Sequence, residues 1–138
     1  MVLFYLRSLI TILISSDVET NPGPSYNEGN LNFAHWNLNS ISAHNYARIS
    51  QLQAYAIQHN LHIFALSETA LKSATKNEQI MIDGYTVTRR DLPDNTTHGG
   101  VLIFHKENLA LRHRPDLENH PNILVSEINI CKKKIFLL

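Results

Sequence analysis

The chain has 138 residues, the length of one ordinary domain, which argues against a second folded unit. Apolar residues make up 43% and charged residues 17%, a balance that supports a packed core and excludes a wholly disordered chain. Lys+Arg and Asp+Glu both number 12, so no global basic field announces a nucleic-acid binder, although positive charge confined to one groove is compatible with that neutrality.

The first 14 residues, Met1 to Ile14, are apolar apart from Arg7, Ser8 and Thr11. A membrane-spanning helix needs about 20 apolar residues, so this run is too short for a stable span. It fits the apolar part of a secretory signal peptide, yet no basic cluster precedes it and it exits through Ile14-Ser15-Ser16-Asp17, not a small-x-small site.

The octet Asp17-Val18-Glu19-Thr20-Asn21-Pro22-Gly23-Pro24 follows. It resembles the 2A-type ribosome-skipping peptide, Asp-(Val/Ile)-Glu-x-Asn-Pro-Gly-Pro behind an apolar segment, and every position matches. Ser16 stands where that family usually has Gly, a departure that bears on efficiency. Pro22 and Gly23 set a tight turn, and Pro24 must attack as a ring-constrained secondary amine. The resemblance implies that, inside the ribosome exit tunnel, the bond between Gly23 and Pro24 is skipped and translation resumes at Pro24. Asn-Pro-Gly-Pro alone would read as a linker turn; the full octet behind an apolar run favours skipping. Residues 1–24 are then a leader and Ser25 to Asn30 a polar linker.

From Leu31 the pattern is that of a folded body. Leu31 to Trp36 alternates apolar and polar residues, the period of a strand with one buried face. A helix is expected from about Ser42 to His59, with Ile49, Leu52 and Ala56 on one face, Ser42 as its cap and Asn60 at its stop. Leu61 to Leu66 reads as a buried strand that ends in Ser67-Glu68-Thr69. Residues 70–83 are less regular. Further strands are expected at Tyr85 to Thr88, Gly99 to Phe104, Ile123 to Ile128 and Ile135 to Leu138, with a polar loop from Arg89 to His98. One early helix among many strands predicts an α+β domain of the layered α/β sandwich type, over residues 31–138. The final apolar strand stops with the chain, which reads as truncation.

Asn37 and Glu68 both stand where an apolar strand ends, with a helix between the two strands. Parallel strands joined by a crossover would bring those ends together. An amide oxygen and a carboxylate there are hard ligands suited to Mg²⁺ (or Mn²⁺), which keeps several waters and needs few protein ligands. By spacing alone, a lone Glu at a strand end is more often a solvated terminus.

Trp36-Asn37-Leu38-Asn39-Ser40, Leu66-Ser67-Glu68-Thr69 and Gly99-Gly100-Val101-Leu102-Ile103-Phe104 occur in that order. Together they resemble the opening motifs of the exonuclease–endonuclease–phosphatase superfamily, in detail the apurinic-type endonuclease domain of non-LTR (LINE-like) retrotransposons. The resemblance implies a four-layered fold, catalytic and metal-binding roles for Asn37 and Glu68, and Asn39 as a neighbouring polar contact. It also implies nicking of DNA for a downstream reverse transcriptase, in the cytoplasm or nucleus. The family's remaining site residues are a Tyr, an Asp-x-Asn pair and a late Ser-Asp-His. They have no counterpart here, so the chain reads as the front half of the domain and is expected not to cut DNA by itself.

Other features have blander readings. Arg89 and Arg90 could meet a phosphate backbone, though exposed loop charges are commoner. Lys132-Lys133-Lys134 reads as a solvated strand entry. The eight histidines show no metal-ligand spacing and read as surface or core residues. The one cysteine, Cys131, excludes a disulfide framework and a Cys-based zinc site, and reads as a small buried hydrophobe. Asn95-Thr96-Thr97 is a glycosylation sequon. With the apolar start it supports a rival reading, a secreted or surface binding module, with unskipped chains entering the secretory route.

Overall fold

A computed structural model describes residues 12–15, 31–42, 46–130 and 133–137. The skipping octet from Asp17 to Pro24, the linker from Ser25 to Asn30, Cys131 and Lys132 lie outside the described residues. The strands are β1 (Ile12–Ser15), β2 (Phe33–Asn37), β3 (Ile63–Ser67), β4 (Tyr85–Arg90), β5 (Val101–Lys106), β6 (Leu111–His113), β7 (Ser126–Ile130) and β8 (Lys133–Leu137), and the helix is α1 (Ala47–Gln58).

Two sheets form. One runs β2-β3-β5-β4, with β2 and β3 parallel and the other pairs antiparallel; the second runs β1-β8-β7-β6, antiparallel throughout. The β2–α1–β3 unit is the expected crossover between parallel strands. β3 is buried along its whole length because the sheet is covered on both sides. Phe64 and Leu66, with Leu102 and Phe104 of β5, meet Ile49, Leu52 and Ala56 of α1. Ile63, Ala65 and Ile103 point the other way, onto Leu109, Leu124 and Ile128 beneath the second sheet. This period-2 alternation between two cores gives helix, sheet and sheet as layers.

Several boundaries differ from the sequence expectation. The helix begins at Ala47, its preceding residue Tyr46 sits at φ 63°, and no side chain caps it, so Ser42 is not its cap. Asn60 does mark the stop, in the left-handed region at φ 45°. The short strand β6 carried no clear alternation. Ile12–Ser15, within the apolar start, pairs antiparallel with β8, Ile12 opposite Leu137 and Ser15 opposite Lys134. A β-branched apolar run is well suited to such an edge position.

Two histidines are core residues. His62 and His105 are 7% and 6% exposed. Burial holds both imidazoles below their ordinary value of 6.5, with the Lys106 charge adding to the effect at His62 and a Lys106 carbonyl contact opposing it at His105. A depressed folded-state value means that the unfolded chain takes up the proton first. The stabilisation is therefore complete above the ordinary value and is lost as pH falls through the folded one. Thermal unfolding followed by circular dichroism should show the midpoint dropping between about pH 7.5 and 5. In His105→Gln that slope should flatten.

Candidate functional site

The parallel register places Asn37 opposite Ser67, so Glu68 is the first residue beyond the end of β3 and faces the turn that follows β2. Hydrogen bonding continues past the strands. Leu38 N donates to Ser67 O at 3.0 Å, Ser40 N to Glu68 O at 2.7 Å and Ile41 N to Thr69 O at 2.9 Å. On the other side Thr69 N donates to Gly100 O at 3.2 Å and Ala70 N to Gly99 O at 3.0 Å. Glu68 to Ala70 is thus laced between the turn after β2 and the entry to β5.

That lacing imposes an uncommon backbone. Asn39, Ser40, Glu68, Ala70, Gly99 and Gly100, six of the nine described residues with positive φ, gather at this end of the sheet. Each non-glycine residue held there costs on the order of 1–3 kcal/mol, and such strain concentrates at functional sites. Gly100 is needed for fit as well as for φ, since a Cβ there would lie 2.6 Å from Thr69 Oγ1. Thr69 is 1% exposed, and its hydroxyl finds no partner in the structure.

The half-buried Glu68 carboxylate accepts a hydrogen bond from Gly99 N at Oε2, 2.8 Å away, which leaves Oε1 outside that contact. Asn37 is exposed at the strand end, and its Oδ1 accepts from Asn39 N at 3.3 Å. Two residues earlier on the same strand, His35 Nε2 lies 3.1 Å from Ser67 Oγ, and partial burial lowers the pKa of that imidazole. The structure therefore brings Asn37, Asn39 and Glu68 to one mouth. Among the described residues no group of three His, Cys, Asp or Glu side chains stands together as a metal cluster. One carboxylate oxygen and one amide oxygen do fit a small hard cation that retains most of its water.

Arg89 and Arg90 are engaged elsewhere. Arg89 Nη2 pairs with Asp91 Oδ2 at 3.1 Å and donates to the Thr75 carbonyl. Arg90 Nη1 binds Glu118 Oε2 at 2.6 Å and Ile123 O at 3.3 Å, tying the first sheet to the layer beneath it. Both guanidiniums already serve intramolecular pairs, so the expectation that they meet a phosphate backbone gains no support from their placement. Sequence reasoning missed Arg48, whose Nη1 donates to Asn39 O at 3.0 Å and Ser40 O at 2.7 Å from the first turn of α1. No local spacing could have revealed that contact. The Gly99-Gly100 pair was legible as a strand entry, and its positive φ was available from residue type, but not its bond to Glu68.

No protein-family model and no curated protein matches the chain. Solved structures do. The AP endonuclease LMAP from Leishmania major is similar over 72% of this chain and 35% of its own, at 17% identity and a TM-score of 0.57. An AP endonuclease from Archaeoglobus fulgidus is similar over 74% of this chain and 38% of its own, at 19% identity and a TM-score of 0.50. The likeness is one of fold. This chain has an α+β sandwich like that of the AP endonuclease structures, and it spans little more than a third of their length.

The glycine fit can be tested against an internal control. Gly84 also has positive φ, 78°, but open space where a Cβ would go, whereas Gly100 has φ 81° and the Thr69 hydroxyl in the way. Gly84→Ala should therefore cost about 1 kcal/mol in urea unfolding, and Gly100→Ala roughly 2 kcal/mol more.

Proposed function

We propose that the chain supplies the metal-binding part of a Mg²⁺- or Mn²⁺-dependent DNA-nicking site, of the kind carried by LINE-like retrotransposons. One observation carries the reading: Asn37 and the strained, amide-held Glu68 lie at adjoining ends of two parallel strands in a fold like that of AP endonucleases. Glu68 would ligate the cation through the carboxylate oxygen that Gly99 does not hold, with Asn37 beside it. A bound divalent ion at that position supplies a Lewis acid for a phosphoryl oxygen and charge neutralisation for the leaving oxygen. Asn39 stands at the same mouth as a polar contact for a DNA strand, which would be held mainly through phosphates. A nick leaves a 3′-hydroxyl for a downstream reverse transcriptase to extend.

Hydrolysis also needs a base for the attacking water and groups that stabilise charge on the phosphate. No described cluster of His and carboxylates stands at the mouth to provide them. The 138-residue chain should therefore bind Mg²⁺ without nicking supercoiled plasmid. Titration calorimetry should find Mg²⁺ affinity at least about tenfold weaker in Glu68→Gln. Equal affinity in the two proteins would end the metal assignment, and plasmid nicking that Glu68→Gln abolishes would show a complete site.

The leader is read as a co-translational separator acting at Gly23–Pro24. Skipping would leave Ile12–Ser15 on a different polypeptide from β8, the strand it pairs with, so the second sheet would gain or lose its edge strand with skipping efficiency. Cell-free translation of the tagged sequence should yield two products, and Pro24→Ala should yield one. The secreted-module reading rests on the apolar start and on the sequon, whose Asn95 is exposed on a turn, and no helix among the described residues is long and apolar enough to cross a membrane. Glycan on Asn95 in secreting cells would favour that reading.

A further inference from the structure

Two cationic side chains outside the Asn37–Glu68 pair each gather main-chain carbonyls of a loop that frames it. Arg48 reaches back from α1 to the turn after β2, where its Nη1 donates to Asn39 O at 3.0 Å, Ser40 O at 2.7 Å and the Leu38 carbonyl. Lys72 performs the same operation on the loop before β5, where its Nζ donates to Pro93 O at 2.8 Å, Asp94 O at 3.5 Å and the Thr96 carbonyl. Among the described residues neither cation is in an ion pair. Both are half-buried. A surface lysine or arginine left to itself would extend into water; these two are turned inward onto clustered carbonyl oxygens and add charge-assisted hydrogen bonds to them, at Pro93 O beside those from Thr96 N and Oγ1.

The two loops are the ones that set the ligand geometry. Leu38 to Ser40 directly follows Asn37 and carries Asn39, and Ser40 bonds the main chain of Glu68. The loop held by Lys72 leads into Gly99, whose amide holds Glu68 Oε2. It is also fastened to the segment after Glu68 by a parallel bridge between Lys72 and Leu92 and by Leu92 N donating to Leu71 O at 2.9 Å. Leu92 in turn packs against Gly99, where an added Cβ would meet its Cδ2 at 3.0 Å.

We propose that Arg48 and Lys72 are positioning residues of this site, Arg48 fixing the turn that presents Asn37 and Asn39, and Lys72 fixing the loop that delivers the Gly99 amide to Glu68. The inference rests on the reading of Asn37 and Glu68 as a metal site. Neither cation touches the metal; each acts through the loop it holds. Outer groups that orient a ligand typically govern metal affinity by 10- to 100-fold.

The test is an Mn²⁺ titration of the full 138-residue chain, followed by paramagnetic broadening of backbone amide signals well below the unfolding temperature. In the wild-type chain the Asn39 and Gly99 amides should broaden first. Arg48→Met and Lys72→Met should each raise the half-broadening concentration about tenfold. Without metal, hydrogen exchange should quicken only at Ser40 and Ile41 in the first variant and only at Leu92 and Thr96 in the second. Arg48→Lys should recover part of the affinity. A wild-type chain in which Mn²⁺ broadens nothing near Glu68 sinks the metal reading and this inference with it. Wild-type broadening that recurs at the same concentration in both Met variants overturns the inference alone. If a Met variant does not fold, Arg48→Lys and Lys72→Arg decide by the same titration, an unchanged midpoint counting against the proposal.

Discussion

Glu68 is held by main-chain hydrogen bonds from both sides, and much of the rest of the molecule is arranged so that this can happen. Its left-handed φ of 54° is costly for a residue with a side chain, and it persists because two separate segments over-determine it. The turn after β2 donates to its carbonyl, the Gly99-Gly100 entry accepts from the two residues that follow it, and the Gly99 amide takes one of its carboxylate oxygens. A carboxylate at the frayed end of a strand would sample many rotamers. Held in this way, it has one oxygen fastened to the Gly99 amide, and part of the entropy of ordering the side chain is already met by folding.

The supporting geometry comes from the middle of the sheet. β3 is buried on both faces and paired on both edges, to β2 in parallel and to β5 antiparallel, so its end is a fixed point. Stacked rings of Phe64 and Phe104, with centroids 4.9 Å apart, and the edge-on Tyr85 fill the helix side beneath it. Tyr85 closes its own polar end by donating to Leu61 O at 2.6 Å. On the opposite side Glu118 joins Arg90 of β4 to His113 of β6 and also accepts from Val125 N, so the two sheets are linked through one buried carboxylate. Among the described residues, several charges fasten loops and layers. The inward turn of Arg48 and Lys72 belongs to the same pattern.

The resemblance to AP endonucleases has a definite extent. It covers most of this chain, about a third of theirs, and it is carried by backbone arrangement at low identity. The residue strings around Asn37, Glu68 and Gly99-Gly100 fall at the strand ends of that arrangement. Ile12–Ser15 lies N-terminal to the octet Asp17 to Pro24 and pairs with β8, so the apolar start contributes a strand to the second sheet.

Local pattern determined a good deal of this protein. Alternation and apolar runs located most strands to within a few residues, Ile49, Leu52 and Ala56 gave the buried face of the helix, and Asn60 marked its end, because burial on one face imposes a period that survives in a single sequence. The strand-end positions of Asn37 and Glu68 followed from the same reasoning, as did the parallel pairing that sets those two strand ends side by side once the intervening helix implied a crossover. Tertiary structure alone decided the helix start, β6, the partner of Ile12–Ser15, and which groups hold the site. Arg48, Lys72 and the Gly99 amide reach their targets across turns between strands, and Arg89 and Arg90 find acids in a loop and in the next layer. Such contacts join residues that share no period and no fixed spacing, so they exist only after the chain has closed on itself.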